Sequence, residues 1–297
     1  MKKVIFLFLA VAILMTGCAN KVDYKYADNW KPDDVKITRY ECNDEFYAHA
    51  EDINTDVTPI KEMLSEYFKG KDFDWDNFAK VKTMKNVTVK TEEIQDLSED
   101  FLMMLNSYSA MYDDDTKEIY LFPFFFEGDT DAQLHALVHE LIHALVSTGH
   151  ENYTRLEEGL VDCYTCSFME ALGWTPQPVY LGEIIAINWL NSVFGEEEVL
   201  RATKNGEIGA LVDQATKSGM EKKLSDAMIM VHNGFSFTDE EITEAVNVEF
   251  DILSHVAQSQ KKGDEANYWL QYANAAYGSI GINMDTKYFE DLLERSV

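Results

Sequence analysis

The chain has 297 residues and a formal net charge of −28, with 53 acidic against 25 basic side chains. Such an acidic surface repels nucleic acid and anionic lipid head groups, which argues against a nucleic-acid-binding function. The length suits one large two-lobed domain or two small ones, with enough apolar residues for a substantial core.

The first residues have the pattern of a secretory signal. Lys2 and Lys3 precede an apolar run, Val4 to Met15, which is shorter than the roughly 20 residues that a membrane-spanning helix needs. Thr16-Gly17-Cys18 follows and resembles the bacterial lipobox, in which the cysteine is lipidated after cleavage. We therefore predict a signal peptide over 1–17, lipidation of Cys18 and export to the extracytoplasmic face of a bacterial membrane. The alternative is an ordinary signal peptide with an incidental cysteine.

The segment after Cys18 is polar and shows no sustained period, so residues 18–36 are predicted to be a tether from the membrane. Short strand-like and helix-like stretches then alternate up to about residue 110. The β-prone apolar run from Lys117 to Phe126 predicts a strand that ends near Pro123.

Two helices are predicted to follow that strand. The first can be capped by Asp129 or Thr130 and has apolar residues at helical spacing up to Leu145, with Gly149 beyond its end. The second runs from about Thr154 to Ala171, with Gly173 as its stop. Prolines beyond this point predict a boundary between a lobe over 37–175 and a helical C-terminal lobe over 176–297.

The first of these helices contains His139-Glu140-Leu141-Ile142-His143. Two histidines four residues apart project from one helical face, so two neutral imidazoles can reach one tetrahedral zinc ion. Glu140 points to the side where a zinc-bound water would lie and can take that water's proton. Because the motif lies on an amphipathic helix directly after a predicted strand, we predict one zinc ion per chain.

A catalytic zinc ion needs a third protein ligand and an open position for water. The second helix offers two candidates, Glu157 and Glu158. Asp162 lies four residues after Glu158 and shares its face, whereas the residue four after Glu157 is Val161. A carboxylate one turn from the ligand can accept the second ring N–H of a zinc-bound histidine and fix its tautomer. This spacing assigns Glu158 as the ligand and Asp162 as the outer carboxylate.

The combined pattern, His-Glu-x-x-His followed by Glu158-Gly159-x-x-Asp162, resembles the gluzincin peptidases, which include thermolysin-like and aminopeptidase-like enzymes. The resemblance covers Lys117 to Asp162. It implies zinc ligation by His139, His143 and Glu158, general-base catalysis by Glu140, and orientation of His139 by Asp162. It also implies an α+β fold, with a zincin-like lobe of a small sheet and two active-site helices, here followed by a mainly α-helical lobe.

The activity implied by the resemblance is zinc-dependent hydrolysis of a peptide or protein substrate at the cell surface. The link between His143 and Glu158 is shorter than in thermolysin, and the Gly-x-Met-Glu-Asn element of the aminopeptidases is missing. Endopeptidase and exopeptidase activity therefore both stay open.

In that family the strand before the active-site helix is an edge strand against which a peptide lies extended. Four residues of the predicted strand could fill this role: Ile119, Tyr120, Leu121 and Phe122. Main-chain pairing would then bind the substrate.

A hydrogen-bond donor to the oxyanion is also expected. Tyr153, Tyr180 and His232 are candidates because they lie downstream and can donate, although each is more commonly an ordinary surface or core residue. His135 lies one turn before His139, where a satisfied histidine is favoured over a fourth ligand that would close the site to water. The acidic surplus permits calcium, but no motif indicates it.

Two other classes of function remain open. A surface lipoprotein that binds a ligand or protein partner, with a zinc site retained for structure, predicts bound zinc and no effect of Glu140→Gln on any activity. An immunity-type lipoprotein that engages another extracellular protein without chemistry predicts no stoichiometric zinc.

Overall fold

The computed structural model describes residues 24–32, 43–53, 56–81, 83–90, 92–146, 155–284 and 286–295. Over these residues the fold is α+β and mostly helical, with one small mixed sheet, in agreement with the predicted class. Three positions singled out in the sequence, Cys18, Gly149 and Tyr153, lie outside the described residues, as does the predicted signal peptide. None of the helices in the described ranges combines the length and apolar character needed to cross a bilayer.

The sheet has four short strands in the order β1-β2-β4-β3: β1 Ala50–Ile53, β2 Met84–Val87, β3 Ala110–Asp113 and β4 Glu118–Leu121. β1 and β2 are antiparallel, β2 and β4 are parallel, and β3 and β4 form an antiparallel hairpin. The hairpin turn places Lys117 in a left-handed conformation, with φ of 59°, and its N–H donates to the carbonyl of Asp113 at 2.8 Å. β3 is therefore one edge of the sheet.

The helices before and around the sheet are α1 Asp44–Ala48, α2 Thr58–Tyr67, α3 Trp75–Lys80, α4 Glu99–Ser107 and α5 Pro123–Glu127. Two long helices follow, α6 Thr130–Val146 and α7 Arg155–Ala171, close to the predicted bounds. The side chain of Asp129 accepts from the N–H of Ala132 at the start of α6, which satisfies one of the orphan donors of the first turn. Gly173, with φ of 74°, follows the end of α7.

The C-terminal part is helical: α8 Leu181–Phe194, α9 Glu196–Lys204, α10 Ile208–Ala215, α11 Met220–His232, α12 Asp239–Ser259, α13 Gly263–Ser279 and α14 Thr286–Arg295. α8 packs closely on α7, and Gly159 is the residue that permits this approach. A Cβ atom built at Gly159 would lie 2.5 Å from the carbonyl oxygen of Glu183, so no larger residue fits without moving a backbone. The Glu158-Gly159 pair thus places a polar side chain directly beside a helix crossing.

One large hydrophobic core joins the two predicted lobes. It includes Leu141 of α6, Phe168 of α7, Trp189 of α8 and Phe250 of α12, none of which is exposed. A smaller cluster on the sheet packs Phe46 and Phe101 with Tyr120 of β4 and with Phe122, the residue after that strand. The segments 37–175 and 176–297 therefore share a core, and helix α8 connects them.

The N-terminal segment, residues 24–32, falls within the predicted tether but is docked on the C-terminal helices. Tyr24, Ala27 and Trp30 are buried. The buried carboxylate of Asp251 accepts from the N–H groups of Tyr26 at 3.0 Å and Ala27 at 3.2 Å. The tether prediction is therefore wrong for this part of the chain, because aromatic burial and buried hydrogen bonds hold it to the folded body.

Candidate metal centre

Three side chains from two adjacent helices meet at one point. His139 Nε2 lies 3.1 Å from His143 Nε2 and 3.0 Å from Glu158 Oε2, and His143 Nε2 lies 3.3 Å from the same carboxylate oxygen. The two histidines share a face of α6 because they are one turn apart, and Glu158 reaches them from the first turn of α7. The structure therefore brings together the three predicted ligands.

These distances fit a metal ion. A tetrahedral zinc site with bonds of about 2.1 Å separates its ligand atoms by roughly 3.4 Å, close to the three distances seen here. Two histidine nitrogens and one carboxylate oxygen are donors that zinc accepts, and three such ligands leave a fourth position for water. The group His139, His143 and Glu158 could hold a metal ion, and so could the neighbouring group His135, His139 and Asp162.

Without a metal ion, the three side chains hold each other through charge. Burial lowers the pKa of His139, but hydrogen bonds to Asp162 and Glu158 outweigh this and raise it to about 9. Burial acts in the same direction on His143, where the Glu158 charge prevails and raises the pKa well above its usual value. Burial raises the pKa of Glu158, yet both histidines together hold it well below its usual value. The cluster is therefore a closely packed set of opposite charges.

Each histidine also has a carboxylate beside its other ring nitrogen. Asp162 Oδ1 lies 3.5 Å from His139 Nδ1, an ion-pair distance, in line with the predicted orienting role. Glu157 Oε1 lies 3.8 Å from His143 Nδ1. The sequence argument chose between Glu157 and Glu158 and gave Glu157 no role. The adjacent Glu-Glu pair was the signal available, because consecutive helical residues can reach two neighbouring histidines.

Glu140, the predicted base, is held by the edge of the sheet. The backbone N–H of Tyr112 in β3 donates to Glu140 Oε2 at 2.7 Å. Glu140 is 9% exposed, so its carboxylate is largely screened from bulk water. This contact fixes the position of β3 relative to α6.

Tyr180 and His232 both lie beside the centre. The Tyr180 ring stacks on His139, with centroids 5.5 Å apart, and the His232 ring stacks on Tyr180 at 5.1 Å. Burial raises the pKa of the Tyr180 hydroxyl well above its usual value, and the charges of Glu158 and Glu140 add to this. Burial and the charge of Arg155 lower the pKa of His232. Of the three oxyanion candidates, these two are brought to the site, and Tyr153 lies outside the described residues.

A buried ion pair that sequence reasoning missed lies under Tyr180. Arg155 Nε donates to Glu183 Oε1 at 2.9 Å, and the Arg155 guanidinium carbon lies 5.0 Å from the centre of the Tyr180 ring. Burial raises the pKa of Glu183 to about 7 despite this partner. The pair joins α7 to α8 and supports the wall of the site that carries Tyr180.

The predicted edge strand needs a correction. β4 lies between β2 and β3 and pairs with both, so neither of its edges is open to a peptide. Four residues were expected to bind substrate but are at most 1% exposed: Ile119, Tyr120, Leu121 and Phe122. Their uniform hydrophobicity belongs to an interior strand that is buried on both faces. The edge strand beside α6 is β3.

Comparisons with known proteins found no family model, no curated protein and no solved structure that matches the chain.

Proposed function

We propose that this chain is a zinc metallopeptidase of the gluzincin type, exported and anchored to a bacterial membrane through a lipid on Cys18. The observation that carries the proposal is the convergence of His139, His143 and Glu158 within 3.3 Å of one another, with Glu140 on the same helix. Such a donor set is that of a catalytic zinc site, which keeps an open position. The sheet and the helices α6 and α7 would form the zincin-like lobe.

A zinc ion in this site would supply Lewis acidity, which makes water more acidic and polarises a carbonyl group. Glu140 would take the proton of the attacking water and return it to the leaving amine. Glu140 projects from α6 and accepts from the Tyr112 N–H of β3, which supports a base that acts beside the sheet edge. The bond cleaved is then one in a peptide lying along that edge.

Tyr180 is the better candidate for the oxyanion donor. Its raised pKa keeps the phenol protonated and able to donate at neutral pH. His232 Nδ1 lies 3.3 Å from the carbonyl oxygen of Val179, so the ring proton is placed on Nδ1 and donated to that oxygen. The other nitrogen of neutral His232 is then an acceptor, and its lowered pKa disfavours the doubly protonated donor form.

A peptide substrate would bind along β3. The carbonyl of Ser109 accepts from the N–H of Phe122, so alternate residues of β3 face β4. By this alternation the backbone groups of Ala110 and Tyr112 point to the outer edge, which agrees with the Tyr112–Glu140 contact. Backbone pairing at that edge would hold an extended peptide beside Glu140.

The test is metal analysis of a purified soluble form, residues 19–297, coupled to cleavage of a mixed peptide library. Three variants accompany it: Glu158→Ala, Glu140→Gln and, as a control on an exposed face of α12, Glu244→Ala. We expect one zinc ion per chain in the wild type, weaker binding in Glu158→Ala, and bound zinc without cleavage in Glu140→Gln. The control should match the wild type in both measurements.

The other outcomes separate the remaining classes of function. Bound zinc with no cleavage by the wild type would favour the surface lipoprotein that binds a partner through a retained zinc site. A chain that binds no zinc would overturn the metallopeptidase proposal and favour an immunity-type protein.

A further inference from the structure

His135 lies one turn before His139 on α6 and is 4% exposed. Its ring stacks on that of His139, with centroids 6.3 Å apart. It is neither one of the three converging donors nor the proposed base. Its two ring nitrogens nevertheless contact groups that shape the site.

The partners of His135 determine its tautomer. The backbone N–H of Gln177 points at His135 Nδ1 at 3.2 Å, so Nδ1 must carry the lone pair. The proton of the neutral ring is then on Nε2, which lies 2.7 Å from Asp162 Oδ1 and donates to it. His135 thus accepts from one backbone segment and donates to one carboxylate.

Asp162 divides its two oxygens between the ligand and the wall of the site. Oδ1 accepts a hydrogen bond from His135 Nε2 and lies 3.5 Å from His139 Nδ1. Oδ2 accepts from the N–H groups of Val179 and Tyr180, at 3.3 and 3.4 Å. Because Asp162 is fully buried, water does not reach its carboxylate, and these contacts compensate the negative charge.

The segment from Gln177 to Tyr180 is therefore held at three backbone N–H groups, one by His135 and two by Asp162. Tyr180 ends this segment, and its ring lies on His139. A change at His135 would loosen the Gln177 contact and also free Asp162 to rotate. Both effects would change the orientation of the Tyr180 phenol and of the His139 ring.

A rival role for His135 is that of a metal ligand, since His135, His139 and Asp162 could hold an ion. Ligation through Nε2 would require the lone pair there and would move the proton to Nδ1. Two N–H groups, those of Nδ1 and Gln177, would then face each other at 3.2 Å. The hydrogen-bond geometry favours the positioning role.

We propose that His135 is a positioning residue, which holds Asp162 and the Gln177–Tyr180 segment and thereby orients the His139 ring and the Tyr180 hydroxyl. The effect on catalysis rests on the proposed function; the tautomer and the orientation of the metal ligand do not.

The first measurements need no peptidase activity. Nitrogen NMR of the histidine rings should show neutral His135 protonated on Nε2 in the zinc-loaded protein. In cobalt-substituted protein, His135→Leu should bind one metal ion per chain but change the visible absorption spectrum, since the orientation of a ligand changes. His255→Gln replaces an equally buried histidine of α12 and should leave the spectrum unchanged. A proton on Nδ1, or a second metal ion that is lost in His135→Leu, would overturn the proposal.

Peptide cleavage supplies the second test. His135→Leu should lower kcat by about 10- to 100-fold with a small change in KM, as misplacement of supporting groups does. His135→Gln, which keeps a donor toward Asp162, should recover part of this loss. In a Tyr180→Phe background the cost of His135→Leu should shrink, because both changes remove the same contribution. Fully additive effects would contradict the assigned role, whereas a wild type without cleavage would count against the proposed function and leave the NMR and cobalt tests decisive.

Discussion

Glu157 and His143 face each other between α6 and α7, with Glu157 Oε1 3.8 Å from His143 Nδ1. Glu158, the next residue along α7, contacts the opposite nitrogen of the same ring at 3.3 Å. Two adjacent glutamates thus hold one imidazole from both sides. In a zinc site the outer carboxylate keeps the ligand's tautomer and raises its basicity.

Replacing Glu157 by Gln should therefore weaken zinc binding by about tenfold while the fold is preserved, since outer carboxylates contribute 10- to 100-fold to affinity. Competition with a fluorescent zinc indicator would measure the dissociation constant. Glu170→Gln alters an exposed glutamate of the same helix and should leave it unchanged. Equal affinities for the wild type and both variants would contradict a role for Glu157.

Zinc binding should release protons and strengthen with pH. The pKa of His139 in the metal-free protein is raised to about 9, so its ring is a positively charged imidazolium at pH 7, and the pKa of His143 is raised as well. Because zinc takes neutral imidazole, affinity should rise up to about tenfold per pH unit for each proton released, until pH passes about 9. Calorimetric titration in buffers of different ionisation enthalpy would count these protons. A pH-independent affinity between pH 6 and 8 would contradict the expectation.

The raised pKa of His139 also predicts how the stability of the metal-free protein depends on pH. The folded pKa of His139 lies above the unfolded value of 6.5, so the contribution of this ring to folding stability is fully present below pH 6.5. That contribution is lost as pH rises through about 9. Denaturant unfolding of metal-free protein should therefore show lower stability at pH 9 than at pH 6.5, with a smaller difference when zinc is bound. His139→Ala should reduce this dependence, and the part that remains would come from His143, whose pKa is also raised.

The cluster of residues that could hold a metal ion was largely predictable, because its members are close in the sequence. His139 and His143 share one helix, and Glu158 and Asp162 share the next, so helical period alone indicates which side chains meet. The β3 edge was not predictable in this way, because the strand that pairs on both sides is decided by sheet topology. The most apolar strand, β4, took the interior position, and the more polar β3 was left at the edge beside Glu140.

Contacts between distant parts of the chain were also missed. Asp251 binds the N–H of Tyr26 across 225 positions of sequence, and no local pattern marks residues 24–32 as docked. Tyr180 and His232 could be identified only as possible donors, since the stacking of Tyr180 on His139 and of His232 on Tyr180 depends on how α11 and the start of α8 pack.

Gly159→Ala should destabilise the protein by about 1–3 kcal/mol, because the new Cβ would lie 2.5 Å from the backbone oxygen of Glu183. The loss should occur even though alanine favours a helix by about 1 kcal/mol. Gly278→Ala is the matched control, since the nearest atom to its added Cβ would be 3.9 Å away, and it should be neutral or stabilising. Thermal unfolding would measure both, and equal melting temperatures would show that α7 and α8 can separate at no cost.

The docked N-terminal segment should contribute to stability through Asp251. Replacing this buried carboxylate by Ala leaves the N–H groups of Tyr26 and Ala27 without their acceptor, which should cost about 1–3 kcal/mol. Glu244→Ala, at an exposed position of the same helix, should cost little. A form that starts at residue 33 should lose at least as much as Asp251→Ala, because it also removes the burial of Tyr24 and Trp30. If denaturant unfolding gave the shortened form wild-type stability, the segment would be a tether after all, and the buried contacts of Asp251 would make no net contribution.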